Sequence, residues 1–172
     1  ARDSFEALPV STQERIKAVL DKHDTITAKI RSLSSRPVHG VKTRHHGDLV
    51  LRKVLLVADD FVITDFEGIL TLPLEQRRRK YPPLRDVATV LCSLERARAA
   101  ALERALATQP DLHDRIQPAL EAWLKGASEA LLKGYRSIVD GTPCLPEQAK
   151  DVDTLIRLFS IERSLRDLCV DI

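Results

Sequence analysis

Apolar residues recur along most of this chain with a period near 3.6, and with a period of two in one short stretch. Ile16, Val19, Leu20, Ile26, Ile30 and Leu33 line one face of a helix predicted over residues 11–34. Ser11-Thr12-Gln13-Glu14 opens it with the S-x-x-E spacing of a capping box, and Pro37 and Gly40 follow its end. Leu84, Val87, Ala88, Leu91 and Leu94 predict a second helix over 84–108. Ile116, Leu120, Trp123, Leu124, Ala127 and Leu131 predict a third over 111–133, and Val152, Leu155, Ile156, Phe159, Leu165 and Leu168 a fourth over 147–170. Gly134, Gly141, Pro143 and Pro146 predict a break between the last two.

Residues 41–68 read differently. Lys53–Val57 and Phe61–Asp65 are short runs rich in β-branched and aromatic residues, with Ala58-Asp59-Asp60 between them. They predict a hairpin of two short strands. Residues 69–83 hold Pro73, Pro82 and Pro83 around a basic run, Arg77-Arg78-Arg79-Lys80, which predicts a loop with at most one helical turn. No repeat or low-complexity linker divides the chain, so residues 1–172 are expected to form a single, mainly helical α+β domain with one small hairpin.

Composition narrows the function classes. With 44% hydrophobic and 30% charged residues, a core can form. Aromatics make up only 4%, so that core must come from Leu, Val, Ile and Ala, which favours helix packing. A net charge of +2 lacks the basic excess of a nucleic-acid-binding protein. No run of about 18 apolar residues predicts a membrane span. Cys92, Cys144 and Cys169 are odd in number with no CxxC, which argues against a disulfide scaffold or zinc ribbon and for a reducing, cytoplasmic setting. Methionine is absent and the chain starts at Ala1, so a piece of a longer product is the expectation.

The polar peculiarities gather at the hairpin. His46-Gly47-Asp48 precedes the first strand, and Asp65-Phe66-Glu67-Gly68 closes the second. One hairpin length separates the two aspartates, so both can stand at the same end. Two converging carboxylates suit phosphoryl transfer: one can orient or deprotonate an attacking hydroxyl, the other can hold Mg²⁺ against nucleotide phosphates. Taken singly, His-Gly-Asp is common by chance and Asp-x-x-Gly is an ordinary turn. Without a Cys or second His at ligand spacing, His45 and His46 read as backbone-bonded histidines rather than zinc ligands. The Arg77–Lys80 run reads as a solvated loop.

The segment His46-Gly-Asp-Leu-Val-Leu-Arg-Lys-Val-Leu55 resembles the HGDxHxxQ motif of aminoglycoside-phosphotransferase-type kinases, and Asp65-Phe-Glu-Gly68 resembles their metal-binding DFG equivalent. Residues 73–88, PLEQRRRKYPPLRDVA, are similar to the PLxxRRxKxxPLRDVA pattern of bacterial maltokinases, which occur alone or fused behind trehalose synthase. Trp123, Leu132-Lys-Gly-Tyr-Arg136 and Leu158-Phe-Ser-Ile-Glu-Arg163 follow the same family's order.

The resemblance implies the C-terminal lobe of a protein-kinase-like fold, with the N-terminal lobe, and in a fusion a trehalose synthase domain, as partners in a longer chain. It implies transfer of the ATP γ-phosphoryl group to the anomeric hydroxyl of maltose. Asp48 would be the catalytic base, Asp65 the Mg²⁺ ligand, and His46 and Asp86 supports of the catalytic loop. Trp123, Tyr135 and Arg136 would be sugar contacts. Lys53 stands where the family has a metal-binding Gln, Val50 where it has a His, and Ile69-Leu70 where it has Glu-Pro. A protonated lysine cannot ligate Mg²⁺, so either one metal site is lost or Lys53 brings its own charge to the phosphates. The rival readings are an inactive kinase-like assembly module and a kinase for aminoglycosides or another small alcohol.

Overall fold

The computed structural model describes residue 6 and residues 8–38 and 40–170, apart from the side chains of Ser11, Arg15, Cys169 and Val170. The predicted first helix is two: α1, Val10–Leu20, and α2, His23–Leu33. The break falls where the apolar stripe lapses, in the polar stretch 21–25, and no residue of α2 is buried. Ser11, expected to open the helix as its cap, lies inside α1: Pro9 holds the N-cap position, and its carbonyl accepts the amides of Thr12 and Gln13. The side chain of Ser11 lies outside the described residues.

A 3₁₀ turn, Leu51–Lys53, leads into the hairpin of β1, Val54–Val57, and β2, Asp60–Ile63. The strands pair antiparallel with Val54 opposite Ile63 and Val57 opposite Asp60. Ala58 and Asp59 make the two-residue turn at positive φ, 47° and 67°, the pattern whose twist matches a tight hairpin. Lys53, expected to open the first strand, instead closes the 3₁₀ turn, and its carbonyl accepts the Thr64 amide. The hairpin stands out from the helices, with Leu56, Phe61 and Val62 exposed.

The predicted loop 69–83 holds a single turn, α3, Leu74–Arg77. Three long helices follow: α4, Leu84–Thr108; α5, His113–Val139; and α6, Ala149–Val170. α4 packs against both α5 and α6. The core lies behind the first turns of α4, where Leu84 and Val87 meet Val152 and Leu155 of α6, with Leu132 and Tyr135 of α5 and Phe159 of α6 packed around them. Arg36, beyond α2, pairs with the buried Asp151 in the first turn of α6 and ties the N-terminal segment to this core.

α5 runs six residues past its expected end at 133, through Gly134. A Cβ built at Gly126 or at Gly134 meets no atom within 4 Å. The helix is held by packing and hydrogen bonds on either side, not by local propensity at these positions. Gly126→Ala and Gly134→Ala should therefore each stabilise by about 1 kcal/mol, because alanine loses less backbone entropy in a helix interior. Each should raise the thermal midpoint by about 2–4 °C, and a fall would show that α5 does not continue through these positions.

Candidate active site

The first turns of α4 form the platform. Asp86, in the opening turn of α4, accepts the His46 amide at 2.6 Å through Oδ2 and the Gly47 amide at 3.0 Å through Oδ1. Two helical turns further on, and so on the same face, the Ser93 hydroxyl accepts the Leu51 amide at 3.0 Å. One helix face thus fixes both ends of the loop that carries Asp48. The segment before the loop is pinned as well, since Thr43 and Tyr81 exchange both backbone hydrogen bonds. The Arg85 guanidinium lies 4.0 Å from the Tyr81 ring centre and pairs with Glu162 of α6.

His46 is buried and bonded through both ring nitrogens. Its Nε2 lies 2.8 Å from the Thr64 carbonyl, and the Asp48 amide lies 3.3 Å from Nδ1. A carbonyl can only accept and an amide can only donate, so the proton sits on Nε2. The ring bridges the Asp48 loop to the end of β2 and makes a tilted contact with Phe66.

The Asp48 and Asp65 loops meet at two glycines. A Cβ on Gly47 (φ 85°) would stand 3.5 Å from the Cα of Gly68, itself at φ 74°. Both positions need glycine for the backbone angle, while the distance a Cβ on Gly47 would keep from Gly68 is an ordinary van der Waals contact. Asp65 is a non-glycine residue at φ 60°, a conformation that costs about 1–2 kcal/mol and recurs at functional sites. Arg77 holds the far side of its loop, donating to the carbonyls of Leu72 (3.1 Å) and Glu67 (3.0 Å). Within the basic run Arg78, Arg79 and Lys80 are exposed as expected, but Arg77 is a half-buried brace of the Asp65 loop.

Asp48 is only 6% exposed and Lys53 7%. Lys53 Nζ donates to Oδ2 of Asp48 at 2.7 Å, and Nη1 of Arg163 donates to Oδ1 at 2.5 Å. Burial pushes the Asp48 carboxyl up, but the hydrogen bonds and charges of Lys53 and Arg163 outweigh it and hold the group below the usual carboxylate range. Arg163 also pairs through Nε with Asp167 at 2.9 Å, and Asp167 pairs with Arg96. Burial works against the charge of Arg163, but these two carboxylates raise its pKa nonetheless.

A cavity of about 580 Å³ opens over this cluster, lined among others by Asp48, Lys53, Asp65, Glu67 and Arg163. It brings Asp48, Lys53 and Asp65 together, with His46 and Asp86 behind them. Trp123, Tyr135 and Arg136 do not line it. Trp123 is 46% exposed elsewhere on α5, and Arg136 lines a separate groove with Glu129 and Asp140. Tyr135 packs against the core, and its buried hydroxyl has no hydrogen-bond partner among the described residues.

Sequence reasoning missed Arg163, Ser93 and the bracing role of Arg77. A signal for Arg163 existed: it continues the stripe Val152, Ile156, Phe159 of α6, placing a charge where the pattern calls for an apolar residue.

The residues fit one Mg²⁺ better than two. Asp65 is exposed, lines the cavity and pairs with no cation among the described residues, so it can offer hard oxygen ligands beside nucleotide phosphates. Both oxygens of Asp48 are engaged, and Lys53 occupies the position of the expected second ligand. Among the described residues no three His, Cys, Asp or Glu side chains cluster as a ready metal site, and no helix is long and apolar enough to cross a membrane.

No protein-family model matches the chain. A curated protein, glucosamine kinase of Streptacidiphilus jiangxiensis, is 27% identical over 93 residues, covering 54% of this chain and 20% of the relative. Among solved structures, glucosamine kinase in crystal form A superposes with a TM-score of 0.68 at 22% identity, over 98% of this chain and 38% of that one. Glucosamine kinase in complex with glucosamine, ADP and inorganic phosphate superposes with a TM-score of 0.61 over 97% of this chain and 36% of that one. The chain therefore has the fold of part of a kinase, mostly helical with one small hairpin, and spans about a fifth to two-fifths of the proteins it matches.

Proposed function

We infer that this chain carries the phosphoryl-transfer half of an ATP-dependent sugar kinase, as the C-terminal lobe of a longer protein. The observation that carries this reading is the shared cavity of Asp48 and Asp65, with the Asp48 loop anchored by the Asp86 carboxylate. The likeness to glucosamine kinase over nearly the whole chain supports it.

Asp48 is the general base. It accepts the proton of a sugar hydroxyl as that oxygen bonds to the γ-phosphorus of ATP, and ADP leaves with the electrons of the broken phosphorus–oxygen bond. Lys53 and Arg163 fix the orientation of Asp48 and keep it charged before the sugar arrives. Asp65 would hold Mg²⁺, which neutralises phosphate charge when bound.

The acceptor class is a mono- or disaccharide. Residues 73–88 resemble maltokinases and favour the anomeric hydroxyl of maltose, whereas the structural likeness is to glucosamine kinase. Mg²⁺-dependent phosphate transfer from ATP to maltose and to glucosamine, measured with the full-length protein that carries this sequence, decides between them. Transfer to at least one above the sugar-free rate is the expected outcome. Transfer to neither would favour the second reading, an inactive assembly module, for which the engagement of both Asp48 oxygens speaks.

A further inference from the structure

Lys53 and Arg163 reach Asp48 from positions far apart in the chain. Arg163 lies 115 residues downstream, on α6, and each cation ends on a different carboxylate oxygen. The Lys53 and Asp48 side chains are each 9% exposed and that of Arg163 12%, so two cations share one anion with little water to screen them. Arg52 adds a third cation 3.8 Å from the same carboxylate. The second acceptor of Arg163, Asp167, is itself shared with Arg96.

This arrangement exceeds what holding a carboxylate in place requires, since one buried partner would do. Moreover, both cations face the cavity that Asp65 lines. A guanidinium beside an ammonium suits a phosphate: the planar fork can bond two oxygens, and the ammonium supplies a compact charge.

We propose that Lys53 and Arg163 form a seat for the anionic phosphoryl group of the nucleotide, and that the anion takes these two cations over from Asp48 as it binds. The inference rests on the phosphoryl-transfer reading above. It gives the site an order of events. While the cavity is empty, Asp48 is tied up by its cations. With phosphate in the seat, Asp48 is released to take up a hydroxyl proton. The seat also supplies fixed positive charge at the position where the resembled family places a metal ligand, so one divalent ion at Asp65 suffices. Arg163 is then a phosphate-binding residue and not solely a structural partner of Asp48.

The test is binding of tripolyphosphate without divalent metal, in EDTA and low salt, by calorimetry on the full-length protein. The wild type should bind. Arg163→Gln should weaken binding about tenfold or more, Arg163→Lys should restore most of it, and Arg78→Gln, in the exposed loop, should leave it unchanged. No metal-free binding by the wild type, or equal binding by a folded Arg163→Gln, would overturn the proposal. Should Arg163→Gln fail to fold, the ¹⁵N resonances of Lys53 Nζ and the Arg163 guanidinium in the wild type decide: they should move on addition of tripolyphosphate, and unmoved resonances would contradict the seat. Metal-free binding in a protein that phosphorylates no sugar would overturn the kinase reading and keep the seat. Sugar phosphorylation without metal-free binding would do the reverse.

Discussion

Asp48→Ala should cost about 3–5 kcal/mol of folding stability, because it leaves two buried cations facing each other with their shared anion gone. That is a large part of the roughly 5–15 kcal/mol that holds a domain of this size together. An exposed ion pair such as Arg157–Asp153 would contribute about 0–1 kcal/mol by comparison. The difference lies in burial: Asp48 and Lys53 are each almost fully enclosed, so water screens their pairing far less than it screens an exposed pair.

The same pair sets an acid limit. Asp48 in the folded chain holds its proton more weakly than an unfolded aspartate, because Lys53 and Arg163 outweigh the opposing effect of burial. At pH values below about 3.9, the unfolded chain therefore binds more protons at this residue than the folded one. The stabilisation is complete above that value and is lost as pH falls through the lower folded pKa. Asp48→Asn should flatten this acid limb in urea titrations repeated between pH 3 and pH 6, a range of about three units around the reference value. An identical acid limb in the wild type and the variant would show that the carboxylate is not held by its two cations.

Asp86→Asn should reduce phosphoryl transfer by about 100-fold while changing the KM for ATP far less, since displacement of a reacting group by about 1 Å can carry such a penalty. Asp86 touches neither nucleotide nor sugar in this reading. Its two oxygens each accept one loop amide, from His46 and Gly47. An Asn has only one oxygen to offer and turns an NH₂ toward the other amide, donor against donor. One charge-assisted hydrogen bond is lost outright, about 1.5–3 kcal/mol of stability, and the loop carrying Asp48 must tilt to relieve the clash. Steady-state kinetics together with urea unfolding separates the two effects. A variant with wild-type kcat would mean that the Asp48 loop is positioned by Ser93 and His46 alone.

Much of the architecture was legible because it depends on local periodicity. The stripes of α4 and α6 and the β-rich runs on either side of Ala58-Asp59 each gave an element close to the observed bounds. Asp86 as a support of the catalytic loop came from the resemblance, not from the periodicity. What was not legible depends on contacts distant in sequence. No pattern in residues 11–34 says that α2 buries nothing, although the polar stretch 21–25 did mark where the helix breaks. Gly134 reads as a stop unless one knows that Leu132 and Tyr135 on either side are packed against the core.

The site divides in the same way. His46, Asp48 and Asp65 could be singled out because the resemblance rests on short local motifs. Arg163 was missed although its place in the apolar stripe of α6 was a signal, since its partner lies 115 residues away and its helix carries many charges. Tyr135 was a candidate sugar contact through the resemblance. In the structure it packs against the core instead, and burial pushes its phenol up.

The central claim is that Asp48 takes the proton of a sugar hydroxyl during transfer from ATP. It is tested most directly by comparing kcat for the preferred sugar in the full-length protein and in its Asp48→Asn variant, with Mg-ATP binding measured on both. The account predicts that kcat falls by about 10²–10⁴-fold, the range a general base contributes, while Mg-ATP still binds. A folded Asp48→Asn variant that turns over at the wild-type rate would contradict it.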